Sequence, residues 1–352
     1  MSLVVNKGLK LELLPSESML HVLEQNIGNA RFVWNNILER YLDLYKLFKF
    51  HGYTLSPTIN NLNAILKMLK QENSFLYDGE STSQQQVFQD LNKAFTKFFK
   101  EGYGFPKFKS KKNPKQSFRI QKNANNIRIT NRRIRLAKLG YVHYHTSSKY
   151  KKLLKNSKIN NVTVKRENGK YYAIVNITTT VEELEKTNMN VGIDLGLKNL
   201  ATLSNGQVIV NIDLTHEDKM IRKYQRKLNR QKYMSNNYKK TLQKYYKWLN
   251  RKNNKIQNAY HQLSKHIVKN YDIIAMEDLN IKGMFKNKRW APKLQKISLY
   301  KPHANDKIQI QMVRKNIHTN QSFLSIQPNM QRMRISKTRT NNRYTRMDLP
   351  IM

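Results

Sequence analysis

Two acidic residues in this 352-residue chain stand in the middle or at the end of apolar, strand-like runs. In VGIDLGLKNLATLSNG at 191–206, Val191, Ile193, Leu195 and Leu197 alternate with Gly192, Asp194, Gly196 and Lys198, the period of a strand with one apolar face. Asp194 falls on the opposite face, between glycines that let a cationic partner approach the backbone closely. In YDIIAMEDLNIKGM at 271–284, residues 273–276 read as a short buried strand. Glu277 and Asp278 follow at its C-terminal end, where open sheets place functional groups. Asp194 with Glu277 would offer Mg²⁺ the hard oxygen ligands it takes, together with substrate phosphates. Ions held there could activate water and stabilise the leaving oxygen of a phosphodiester. Taken singly, either carboxylate also reads as an ordinary exposed turn residue.

The charge balance gives this chemistry a setting. Lys and Arg number 65 against 23 Asp and Glu, a formal net charge of +42. That exceeds what solubility requires and implies a polyanionic partner. DNA or RNA comes first, because cations along a groove gain affinity by displacing condensed counterions. An acidic membrane is the weaker choice, since no apolar run is long enough to span a bilayer and no leader pattern opens the chain. A ribosomal-type scaffold would share the composition. The absence of cysteine excludes disulfides and thiolate metal sites and fits a reducing cytoplasm, where a DNA partner would place the protein at the nucleoid.

The length implies two or three domains. Residues 4–15 read as a strand entering a proline turn. Helical spacing then runs from Glu17 to about Phe50, from about Thr58 to Gln71, and over 81–100, where Ser81 and Thr82 suit a cap. These three segments predict a small helical domain. GYGFPKFKSKKNPKQSFRIQ at 102–121 interleaves Phe105, Phe108 and Phe118 with Lys107, Lys109, Lys111, Lys112, Lys115 and Arg119. Its aromatics could stack on bases while its cations track phosphates, or its phenylalanines could simply anchor a basic loop to a core. Short strands over 126–179, including a hairpin turning at Glu167-Asn168-Gly169, predict a small antiparallel barrel or sheet. A charged helical pair at 217–269 carries Arg222, Arg226, Arg230, Lys244 and Arg251 among its cations. With few acids to pair them, nucleic-acid contact is favoured over a merely solvated face.

At this level of detail the chain resembles a known family. VGIDLGLKNLATLSNG and IIAMEDLNIKGM resemble the first and second catalytic motifs of the RuvC-like domain in TnpB/OrfB proteins, encoded by bacterial insertion sequences and related to type V CRISPR effectors. ARFVWN at 30–35, LNKAFTKFFK at 91–100, GFPKFKSKKNPKQSFRI at 104–120, RRIRLAKLG at 132–140 and VKRENGKYYAIV at 164–175 resemble it in the same order. The resemblance implies an α+β, multidomain fold. A wedge-like β-barrel would occupy 1–15 and 102–185, a helical recognition insertion 16–101, and a partial RNase H-like (RuvC) α/β domain with a mixed sheet 187–302. It further implies a Mg²⁺-dependent, RNA-guided DNA endonuclease acting in transposition, with guide RNA and double-stranded DNA as partners. Asp194 matches the first catalytic aspartate and Glu277 the catalytic glutamate.

The family's four-cysteine zinc ribbon and third catalytic aspartate have no counterpart here, and residues 303–352 lose the resemblance. Read one base further on, with permitted codons, NDKIQIQMVRKNIHTNQSF at 305–323 gives MIKYKYKWYGKTFIQINRF. FLSIQPNMQRMR at 323–334 likewise gives FFPSNPICSEC, and NRYTRMDLP at 342–350 gives IAIREWTCP. A frameshift near 300–305 accounts for these matches and predicts an out-of-frame or disordered basic tail. Without the zinc site and third carboxylate, cleavage is expected to be impaired; the alternative is a non-catalytic RNA- or DNA-binding regulator of transposition.

Overall fold

The computed structural model describes residues 2–113, 115–182, 184–194, 196, 199–276 and 316–319. They fall into two compact units, the first drawn from 2–185 and 212–269 and the second from 186–211, 270–276 and 316–319.

The first unit is built on β1 (Ser2–Leu14), β2 (Lys115–Gln121), β3 (Ile127–Ile129), β4 (Arg133–Leu136), β5 (Gly140–His145), β6 (Lys158–Glu167) and β7 (Lys170–Glu182). They form one antiparallel sheet in the order β2-β6-β7-β1-β5-β4-β3. Of the two forms that the hairpin pattern allowed, the pairings give a sheet; among the described residues none joins β2 to β3 to close a barrel. β1 runs against β7 from Ser2 opposite Glu182 to Leu13 opposite Tyr171. Leu9, Leu11 and Leu13 are buried at every second position, as a strand with one covered face requires.

That face is covered by α1 (Glu17–Phe50), α2 (Ile59–Glu72) and α3 (Ser81–Glu101), all inserted between β1 and β2. Leu23, Ile27, Ala30, Trp34, Ile37 and Tyr41 of α1, Leu62, Leu66 and Leu69 of α2, and Leu91 and Phe95 of α3 join the sheet in one hydrophobic core. The cap of α3 lies one residue earlier than the serine and threonine predict. Glu80 accepts from the Ser83 N–H at 2.5 Å and from Thr82 Oγ1 at 2.9 Å, so a carboxylate satisfies the first-turn donors. Gly102, at φ +66°, ends the helix in the left-handed conformation. A short helix α4 (Ser148–Lys155) precedes β6, and α5 (Thr215–Asn229) and α6 (Asn236–Asn270) follow later in the chain.

The second unit is a mixed sheet of β8 (Asn190–Asp194), β9 (Asn199–Leu203), β10 (Val208–Val210), β11 (Ile273–Met276) and β12 (Asn316–Thr319), ordered β10-β9-β8-β11-β12. β8, β9 and β10 are antiparallel; β11 runs parallel to β8, and β12 parallel to β11. β12 falls within the stretch expected to be an out-of-frame or disordered tail. Its four residues pair with β11 from Asn316 opposite Ile273 to Thr319 opposite Met276. The rest of 303–352 lies outside the described residues, as does the expected site residue Glu277.

Candidate functional site

β8 ends on Asp194. Val191 and Ile193 are buried and Asp194 is exposed, so the alternation read from the sequence holds through that residue. Leu195 and Leu197, which would continue it, lie outside the described residues. Asp194 pairs with Thr202 of β9. On the other side, Asn190 stands opposite Ile273, Gly192 opposite Ala275 and Ile193 opposite Met276 of β11. The residue before Asp194 is thus the neighbour of the residue that precedes Glu277 in the sequence.

A clamp that the sequence reading missed sets this register. The Asp272 carboxylate accepts from the backbone N–H groups of Thr187 at 2.8 Å and Asn188 at 2.7 Å. The Asp272 N–H donates in turn to Met189 O at 2.8 Å. The residue entering β11 therefore grips the chain entering β8, where a slip of one position would turn every side chain to the other face. On the β9 side, Ser204 Oγ accepts from Gly192 N–H at 3.0 Å, and the Ser204 N–H donates to Gly192 O at 2.9 Å. Past Asp194, a Cβ on Gly196 would lie 3.1 Å from Asn199 O and press on the start of β9.

The basic strip is an ordered loop held on α1. Trp34 Nε1 donates to Lys107 O at 3.0 Å, Asn35 Nδ2 to Lys109 O at 3.0 Å, and Lys109 N–H to Asn35 Oδ1 at 2.7 Å. Gln116 Nε2 donates to the carbonyls of Lys111 and Asn113, each at 2.9 Å, and Arg31 Nη1 donates to Gln116 Oε1 at 2.6 Å. The signal for this docking was the Trp-Asn pair in ARFVWN, because an indole N–H on a packed helix face needs a partner. The two readings of the strip divide residue by residue. Phe105 packs edge-to-face on Phe95 and Phe98 at 5.7 and 5.2 Å, and Phe118 is buried in β2, so both are anchors. Phe108 is exposed. Arg119 is paired with Asp90, and Lys115 lies 3.7 Å from Glu167. Lys107, Lys111 and Lys112 are exposed. Lys109 is exposed as a residue but holds its ammonium 3.7 Å from the Trp34 ring centroid, where local burial pushes it down to about 8 against the opposing pull of Asp90.

The α5–α6 pair sorts its cations in the same way. Glu217, buried in the first turn of α5, has Oε1 2.7 Å from Lys255 Nζ and 3.3 Å from Arg251 Nε. Lys255 holds that carboxyl below its ordinary range. Lys252 donates to Asp218 Oδ1 at 2.6 Å. Arg251, whose guanidinium also lies over the Trp248 ring at 5.3 Å, is therefore half engaged in fastening the helices. Arg222, Arg226 and Arg230 recur at four-residue steps and are exposed, as is Lys244. Among the described residues no carboxylate forms an ion pair with any of these four. No described helix is long and apolar enough to cross a membrane.

The class defined so far is an α+β protein with an antiparallel sheet packed under inserted helices, a mixed sheet ending on an aspartate, and basic surfaces on both loop and helix. Residues 161–288 match the OrfB_IS605 family, described as "Probable transposase", and residues 1–49 match the associated "Helix-turn-helix domain". Over the latter range this chain has β1 and one unbroken helix rather than two. It is 28% identical over 286 residues to "Putative RNA-guided DNA endonuclease InsQ" of Escherichia coli (strain K12), covering 80% of this chain and 68% of that protein. It is 27% identical over 291 residues to "Putative RNA-guided DNA endonuclease" of Streptomyces pristinaespiralis, covering 82% and 70%. A solved structure of Cas12f1 with sgRNA and target DNA aligns at a TM-score of 0.48 and 12% identity, covering 90% of this chain and 89% of that one. The two matched stretches and the two relatives support a protein of the TnpB/OrfB type.

Proposed function

We propose that this chain is a transposon-associated, RNA-guided DNA-binding protein whose acidic strand ends descend from a Mg²⁺-dependent DNA endonuclease and whose cleavage is impaired. The observation that carries the reading is the parallel register of β8 and β11, with Ile193 beside Met276, so that the residues preceding Asp194 and Glu277 are neighbours. Three antiparallel strands continued by two parallel ones support an RNase H-like (RuvC) sheet. Helices inserted between β1 and β2 support a wedge-like sheet or barrel with a recognition insertion. The names of the two relatives support RNA and DNA as partners, and double-stranded DNA is the form proposed here.

Asp194 fits a hard cation by its chemistry, an exposed carboxylate at a strand end, and Glu277 is the second expected ligand. Bound there, Mg²⁺ supplies activation of water and charge stabilisation at a phosphodiester. The chain's own part is to hold the ligand-bearing strands in register through Asp272 and to attract nucleic-acid backbone to Lys107, Lys111, Lys112, Arg222, Arg226, Arg230 and Lys244. Two features of the sequence support impairment. These 352 residues hold no cysteine for a Cys₄ zinc site, and 303–352 shows no match to the family's third aspartate. The coding DNA from codon 290 onward tests the frameshift directly, and a single open frame with no zinc-ribbon codons in the alternate frame refutes it.

The activity test is a Mg²⁺ assay with guide RNA and target DNA beside an intact relative. The expected result is RNA binding with cleavage far below the relative. Comparable cleavage that Asp194→Ala abolishes would overturn the impairment, and no binding of guide RNA would overturn the RNA-guided reading. The absence of cysteine also favours a second reading, a non-catalytic regulator. That reading requires the Asp194→Ala chain to suppress cleavage by an intact relative as well as the parent does.

A further inference from the structure

The β6–β7 turn and α6 enclose a cleft of about 730 Å³. Asn168 and Gly169 have φ of +50° and +75°, the two left-handed conformations of a type I′ hairpin turn, which Asn-Gly adopts at little cost. Asn168 is buried and donates from Nδ2 to Asn250 Oδ1 at 2.8 Å, fixing the hairpin tip to the helix. Along α6 the cleft is lined by Gln243, Lys247, Asn250, Asn254 and Asn258, at three- and four-residue steps that keep to one helix face. Arg251 and Lys255 reach the same cleft while paired with Glu217 behind it, and among the described residues no carboxylate lines the cleft itself.

A helix face built only for solvent usually interleaves acids with its lysines at these spacings. This one interleaves carboxamides. A phosphate oxygen only accepts hydrogen bonds, so cations alone would serve a phosphate track. Carboxamides both donate and accept, which matches base edges and the ribose 2′-hydroxyl, the group that separates RNA from DNA. One helical turn rises about 5.4 Å, comparable to the step between successive nucleotides of a single strand, so successive turns can present amides to successive nucleotides, with Lys247 as the cation that no described carboxylate pairs. We infer that this cleft holds a single-stranded stretch of RNA, with Lys247 on its phosphates and Asn254 and Asn258 on its riboses and base edges. The inference rests on the RNA-guided reading and assigns it a specific surface.

The test titrates the full-length chain against a labelled unstructured RNA oligonucleotide and a DNA oligonucleotide of the same sequence, by fluorescence anisotropy over a salt series. Asn254→Ala combined with Asn258→Ala alters two exposed positions. It should weaken RNA binding by at least about fivefold, as expected for two lost hydrogen bonds, with DNA affinity and salt slope unchanged. Lys247→Gln should weaken both ligands and reduce the salt slope by about 0.7, the release expected per single-strand phosphate contact. A photocrosslinking residue replacing Asn254 should trap the RNA, which guards against a variant that loses binding through misfolding. The inference is overturned if the double variant binds RNA like the parent, if it loses RNA and DNA equally, or if no crosslink forms. A parent chain that binds no RNA would remove the RNA-guided reading as well, which separates the two failures.

Discussion

Replacing Asp272 with alanine should loosen the entry to β8. Its carboxylate accepts two backbone N–H bonds, from Thr187 at 2.8 Å and Asn188 at 2.7 Å. Bonds to a charged acceptor are worth about 1.5–3 kcal/mol each when sheltered. Asp272 and Thr187 are half-buried and Asn188 is exposed, so water replaces part of what is lost. A net local cost of about 2 kcal/mol follows. At about 1.4 kcal/mol per decade, exchange of the β8 amides should quicken about thirtyfold, read by hydrogen–deuterium exchange on peptides covering 187–194. Asp272→Asn keeps one acceptor oxygen in place and should fall between parent and alanine variant. Unchanged protection of β8 in Asp272→Ala would refute the clamp, and with it the account of how the Asp194 strand is held against β11.

Three further outcomes follow from the charge arrangement. Glu217 is held below its ordinary 4.5 in the folded chain. Its contribution is therefore present above that value and disappears as pH falls through the depressed one. Exchange protection of α5 should fall in that acid range in the parent, whereas Glu217→Gln should start lower at neutral pH and show no such step. Lys109 is lowered from 10.5 to about 8, so the unfolded chain binds the extra proton between those values and stability rises with pH across that window. Urea melts of parent and Lys109→Met should diverge in slope there, and identical slopes would refute the crowded ammonium over Trp34. Arg119 is occupied by Asp90 while Lys112 is exposed. Lys112→Gln should accordingly lower the salt slope of duplex binding by about 0.9 and Arg119→Gln should leave it alone; the reverse ranking would sink the division of the strip.

Local pattern carried much of this protein. The two-residue period around Asp194, the Asn-Gly turn, the helical spacing of 17–50 and the charged helical pair at 217–269 are all written in neighbours two to four positions apart, where backbone geometry alone dictates which side chains share a face. The excess of 42 positive charges likewise required a polyanion before any fold was known. Tertiary structure decided which of those charges remain available. Arg119 finds Asp90 and Lys252 finds Asp218 across intervals of 29 and 34 residues, and Phe105 lands on α3, distances at which no periodicity speaks. It also decided that β8 lies parallel to β11. Beside that pairing, a carboxylate at 272 meets two N–H groups more than eighty residues earlier. A strand's own sequence specifies which face is apolar; only packing and long-range hydrogen bonds choose its neighbour and its register.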